Sequence, residues 1–151
     1  MRDQNRIKTF EEKVIQISRV SRTVKGGKRI SFRALVIVGD RKGGVGIGIG
    51  KANEVASAIR KAVTRGKKDL AQIRITEHGS IYREVLRCEG AAKVLLRPAP
   101  EGTSIIAGGV VRAVAELSGI RNLVTKSLGT SNKINVARTT LNGLIEASKN
   151  E

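Results

Sequence analysis

The chain has 151 residues, 40% of them hydrophobic, and carries 29 Lys and Arg against 13 Asp and Glu, for a net charge of +16 and an isoelectric point near 11.0. Such a field suits a polyanion binder and has no use in an enzyme acting on small substrates, and Phe10, Phe32 and Tyr82 are too few stacking platforms for a reader of unpaired bases. One thiol, Cys88, permits no internal disulfide, and no stretch approaches the roughly 18 apolar residues of a membrane span.

Residues 1–10 read as a flexible basic N-terminus with no apolar signal region, so the protein is expected to stay in the compartment where it is made. Residues 11–23 mix β-branched and polar side chains and predict a half-buried strand. The turn Lys25-Gly26-Gly27-Lys28 follows, and a second strand is predicted over 29–39. On it Ile30, Phe32, Ala34, Val36 and Val38 share one face, while Ser31 and Arg33 share the other with Leu35 and Ile37. A third strand, Val45 to Gly50, sets Val45, Ile47 and Ile49 against Gly46, Gly48 and Gly50. A helix is predicted over 53–69, capped by Asn53, with Val55, Ala58, Ile59, Ala62 and Val63 as its apolar stripe. Arg60, Lys61, Arg65, Lys67 and Lys68 lie off that stripe; wet helix faces ordinarily carry such residues, and phosphate contact is an equal alternative.

The second half, from Ile73, predicts strands at 81–88 and 91–96 around Glu89-Gly90, then a turn framed by Pro98 and Pro100 that cannot be central sheet. A helix over 106–118 ends at Gly119, a strand runs over 121–128, and a last helix over 132–147 is capped by Ser131. The fold class is therefore α+β in two domains. An N-terminal β-β-β-α unit spans 11–72 and a C-terminal β-α-β-α unit spans 73–148, the first expected to bind RNA and the second to make protein and RNA contacts. Charge divides with them: residues 1–72 hold 18 basic and 6 acidic side chains, a net +12, against 11 and 7, a net +4, in the remainder.

The glycine run Gly43 to Lys51 fails as a nucleotide loop, since a P-loop ending at Gly50-Lys51 needs Gly at 45 and Ser or Thr at 52, where Val45 and Ala52 stand. Its period of two belongs to a strand whose bare face allows close approach, either of RNA or of a neighbouring element. The sharpest electrostatic feature is Arg19-Val-Ser21-Arg22-Thr23-Val-Lys25-Gly26-Gly27-Lys28-Arg29, with no acid among it. Cations, hydroxyls and exposed glycine N–H groups on a hairpin tip are the means of entering a groove between phosphates. Arg33 and Lys51 extend the same basic surface.

Chemistry-bearing residues are sparse. His78, beside Glu77 and Gly79, reads as a surface residue, and Cys88 as a small buried hydrophobe. One His and one Cys supply neither a zinc site nor an acid–base pair, so no catalysis, metal or cofactor is expected. Gly108-Gly109, preceded by Gly102, Thr103 and Ser104 and followed by Arg112, reads as a docking surface for another protein.

The segments Arg19 to Phe32, Ala34 to Asp40 and Gly43 to Lys51, followed by Glu101 to Gly109, Arg112-Ala-Val and Lys126 to Asn132, resemble the ribosomal protein S five family in order and over residues 11–145. The resemblance implies that the first unit is a variant of the double-stranded-RNA-binding fold and the second the family's left-handed α+β domain. It implies a place between head and body of the small subunit, bound to small-subunit ribosomal RNA through Arg19 to Arg29. It also implies contacts with proteins S four and S eight, the former through Gly102, Thr103, Ser104 and Arg112 and affecting decoding accuracy, and a position near where messenger RNA enters. The expected location is cytoplasmic, on the small ribosomal subunit, with a plastid ribosome as the alternative. Ser104 stands where many relatives have glycine, and the tail after the last helix is shorter than in many. The leading helix of an ordinary double-stranded-RNA-binding domain is missing and its lysine cluster shrinks to Lys51, so weak binding of free duplex is expected. A free duplex-binding regulator and a nucleotide-dependent enzyme are the competing readings.

Overall fold

Alternation along residues 11–52 produces three long antiparallel strands, β1 (Glu11–Val24), β2 (Gly27–Gly39) and β3 (Gly44–Ala52), followed by α1 (Val55–Lys68). The computed structural model describes residues 10–149, so the expectation of a flexible basic N-terminus lies, but for Phe10, outside the described residues. A two-residue strand, β4 (Ala71–Gln72), pairs with Gly44 and Val45 and completes a sheet of order β1-β2-β3-β4. The second half comprises β5 (Val85–Glu89), β6 (Ala92–Pro98), β7 (Ile105–Ile106), α2 (Gly109–Ser118), β8 (Leu123–Ser127) and α3 (Lys133–Ala147). Its sheet has the order β5-β6-β8-β7, antiparallel except for the β7–β8 pair that flanks the α2 crossover.

The two-domain α+β architecture is the one the pattern predicts, with differences at element ends. Helix α1 starts after Glu54, which forms no side-chain cap bond, so Asn53 is not its cap. Asn132, not Ser131, caps α3 by accepting from the Ile134 N–H. The third-quarter helix starts at Gly109 rather than 106, because Ile105 and Ile106 pair with Leu123 and Val124 of β8. The strand predicted from Ile81 begins only at Val85. Pro98 does enter the sheet, as the last residue of β6 opposite Leu123, where its missing N–H interrupts no further rung.

Helix α1 covers one face of the first sheet. Ala34, Val36 and Val38 are fully buried there with Ala58 and Ala62. Gly46, Gly48 and Gly50 share that face, and a β-carbon on each would overlap the carbonyl oxygens of Gly66, Ala62 and Ala58 respectively. The glycine face is therefore the bed of α1, which decides between the two alternatives the spacing left open. The opposite face presents Leu35, Ile37 and Val45, and Ile37 and Val45 join Val94, Leu96, Val114, Leu117, Leu123 and Leu144 in one core. Helix α2 accordingly packs against both halves, and six of its ten residues are buried.

A polar joint fixes the same junction. Asp40 accepts from the Lys42 and Gly44 N–H groups at 2.8 and 2.9 Å, shaping the β2–β3 turn. The turn's Arg41 and Gly43 N–H groups then donate to the Leu117 and Ser118 carbonyls at 3.0 and 2.8 Å. A helix C-terminus leaves such carbonyls without intrahelical partners, so the first half completes a helix of the second. Gly119, at φ 96°, ends α2 in the left-handed region, and a β-carbon there would strike the Arg41 carbonyl.

Candidate nucleic-acid interface

Strand β3 ends opposite Phe32, so from Ser31 outward β1 and β2 continue as a two-stranded ribbon. At the strand rise its arm from Ser31 to Gly27 reaches about 16 Å past the sheet. Lys25 and Gly26 form the tip, and Gly26 at φ 99° supplies the left-handed residue that closes so short a loop. Register then sorts the cations. Arg22 lies opposite Arg29 on one face, in line with Arg33 opposite Lys51. Arg19, Ser21, Thr23 and Lys28 occupy the other face. All of these residues are exposed.

Like charges directly opposite one another destabilise a ladder. The sequence between Lys13 and Gly39 nevertheless contains no acid, and among the described residues none of Arg19, Arg22, Lys25, Lys28, Arg29, Arg33 and Lys51 forms an ion pair. The second half behaves differently. Arg87 bridges Glu89 and Glu146, both at 3.1 Å, which holds its guanidinium pKa above the usual value, and Arg97 pairs with Glu84 at 3.1 Å. Arg87 and Arg97 are thus paired within the chain, whereas the ribbon cations, among the described residues, are not.

The expected docking residues also come together. Gly102 (φ 91°), Gly108 and Gly109 have no atom within 4 Å of a β-carbon position, so their surface is open. Ser104 adopts φ 68°, which preserves the left-handed geometry a glycine would favour. Its N–H donates to Asn122 Oδ1 at 3.0 Å, its carbonyl accepts from the Leu123 N–H, and the Thr103 N–H donates to the Pro100 carbonyl. Arg112 is exposed and donates to the Ile105 carbonyl at 2.7 Å, and the uncovered Ile106 lies beside it. Buried Asn122, which also donates to the His78 carbonyl at 2.6 Å, organises this loop. Its single-residue position on β8's approach gives no periodic signal by which it could be singled out.

Cys88 corrects an expectation: it is exposed, because β5 turns its alternate side chains, Leu86 and Cys88, onto the uncovered side of the second sheet. His78 is a surface residue 3.5 Å from Glu101. Among the described residues, no helix is long and apolar enough to cross a membrane.

Comparison with known proteins decides the lineage. Residues 10–74 match the family described as ribosomal protein S5, N-terminal domain, and residues 87–151 the ribosomal protein S5, C-terminal domain. The chain belongs to the ribosomal protein S5 family. Relatives named small ribosomal subunit protein uS5 include one from Acaryochloris marina, 50% identical over 95% of this chain and 81% of its own length. Others are those of Thermotoga petrophila, 54% identical over 89% and 75%, and Nostoc punctiforme, 52% identical over 90% and 78%. The S5 match spans both the ribbon and the Gly102–Arg112 surface.

Proposed function

We infer that this chain is a structural, non-catalytic constituent of the small ribosomal subunit, bound to ribosomal RNA and to neighbouring ribosomal proteins. The ribbon from Arg19 to Arg29, with Arg33 and Lys51 at its base, grips the sugar–phosphate chain at the junction of head and body. The open surface formed by Gly102, Thr103, Ser104, Gly108, Gly109 and Arg112 docks on a neighbouring protein, with S four and S eight as the partners in this family. Holding that junction supports assembly, decoding accuracy and the path by which messenger RNA enters.

The observation that carries this reading is the ribbon's retained repulsion. Arg22 stands against Arg29 and Arg33 against Lys51, like charges whose repulsion an anion lying between them relieves. Phosphate neutralisation with counterion release is the matching chemistry. A chemical footprint on small-subunit RNA, with and without the protein, tests it: protection confined to the head–body junction is the expected outcome. Sedimentation of a tagged chain wholly apart from small subunits overturns it.

A further inference from the structure

We propose that the outer face of α1 is a second phosphate-binding surface, taking an RNA strand other than the one held by the ribbon. The proposal rests on the RNA-binding reading above and extends it to a face that the hairpin does not include. Arg60, Lys61, Thr64, Arg65 and Lys68 line one shallow depression on α1. The helix contains no acidic residue between its flanking Glu54 and Asp69, and among the described residues none of these four cations forms an ion pair.

A solvated helix face ordinarily interleaves Glu with Lys at i, i+4, because like charges at that spacing destabilise the helix. Here Lys61 and Arg65 stand at i, i+4, and Arg65 and Lys68 at i, i+3. Two of the heads are also fixed in place. Arg65 Nη1 donates to the Ile49 carbonyl at 2.9 Å and Lys61 Nζ to the Lys51 carbonyl at 3.3 Å, both on the rim of β3 beyond its short pairing with β4. Each retains N–H donors for an anion, so the donor row is organised before any ligand arrives. The Thr64 hydroxyl donates to the Arg60 carbonyl at 2.9 Å, so the donors in the row are the cations alone. The helix rise places Lys61 and Arg65 about 6 Å apart along the axis, a row suited to a continuous phosphate chain rather than to one isolated anion.

Helix α1 lies on the body of the sheet, and the ribbon leaves the sheet at its Phe32–Ala52 end. A strand crossing α1 is therefore a separate segment from one gripped at Lys25 and Lys28. This arrangement also departs from a duplex-binding helix that offers lysines only at its start, since the cations here run from the middle of α1 to its end.

The test is a salt titration of the full-length chain against full-length small-subunit ribosomal RNA. One variant carries Arg60→Gln, Lys61→Gln, Arg65→Gln and Lys68→Gln, and a parallel one carries Lys25→Ala and Lys28→Ala. Leaving four phosphates without their cations lowers the log–log slope by about three units, while a variant carrying only Arg60→Lys and Arg65→Lys, which keeps all four charges, retains the slope of the unaltered chain. An unchanged slope in the fourfold variant, beside a reduced one in the ribbon variant, overturns this surface and leaves the ribbon standing. Absence of salt-dependent binding by the unaltered chain overturns both. A second measurement does not depend on how the fourfold variant folds: an iron–EDTA tether on Thr64→Cys in a Cys88→Ser background should cut RNA at positions distinct from those cut from Ser21→Cys. No cleavage from the Thr64 position overturns the proposal.

Discussion

A β-carbon built on Gly48 would overlap the carbonyl oxygen of Ala62. Helix α1 and strand β3 thus meet at main-chain contact, with no side chain between them. Gly48→Ala has to lift the helix off Val36 and Val38, which are fully buried beneath it. Overpacking against backbone, which cannot rotate aside, places the expected loss at about 3 kcal/mol or more. Gly109→Ala, facing open space on α2, should shift stability by less than about 1 kcal/mol. Urea unfolding midpoints separate the two, and equal midpoints would mean that α1 rides farther from the sheet.

The ribbon tip makes an electrostatic prediction. Lys25 and Lys28 are exposed and unpaired with any acid among the described residues, so replacing both with Ala leaves the fold intact. Binding to small-subunit ribosomal RNA should weaken, and the log–log salt slope should fall by about 0.7–0.9 for each phosphate that is no longer neutralised. Filter binding across a salt series reads this directly, and an identical slope removes the loop from the RNA-binding surface.

Much of this is legible in the chain because period and charge are local properties. The strict alternation of Val45 to Gly50 announces a strand, and the acid-free run from Arg19 to Arg29 marks out the cations that the ribbon carries without an ion pair among the described residues. What covers the glycine face is not legible, since packing by α1 and approach by RNA call for the same residues; only the positions of the Ala58, Ala62 and Gly66 carbonyls separate them. The opposition of Arg22 to Arg29 depends on register, and register on the loop at Lys25-Gly26. The exposure of Cys88 escapes the pattern because alternation tells which residues share a face and not which face is covered. Asn122 acts through a loop 18 residues away, at Ser104, a relationship no window of sequence contains.

Ser104 holds a left-handed backbone, at φ 68°, that a side chain disfavours. Its two main-chain bonds, to Asn122 Oδ1 and from the Leu123 N–H, fix that conformation. Ser104→Gly removes the strain and adds unfolded-state freedom, two opposed effects of similar size. The expected outcome is a change within about 1 kcal/mol, on the stabilising side, with the 102–104 loop unaltered. Asn122→Ala should instead lose about 1–3 kcal/mol, because it strips partners from the Ser104 N–H and the His78 carbonyl. Thermal unfolding of the two variants checks the ordering, and a larger loss for Ser104→Gly would assign the side chain an interaction of its own.

The shared core makes the two halves mutually dependent. Leu35, Ile37 and Val45 face away from α1, and Ile37 and Val45 share their cluster with Val114, Leu117, Leu123 and Leu144 of the second half. A fragment ending at Gln72 would leave that apolar face in water and deprive the Arg41 and Gly43 N–H groups of the Leu117 and Ser118 carbonyls. It should therefore fail to hold a fixed tertiary structure, although β1, β2, β3 and α1 are all present within it. In the whole chain, Leu117→Ala should cost about 2–5 kcal/mol and lower the stability of both halves together. Hydrogen exchange at amides of β2 and of β6 reads each half separately. Equal loss of protection in both is the expected result, and loss confined to β6 would show that the first sheet stands without the second.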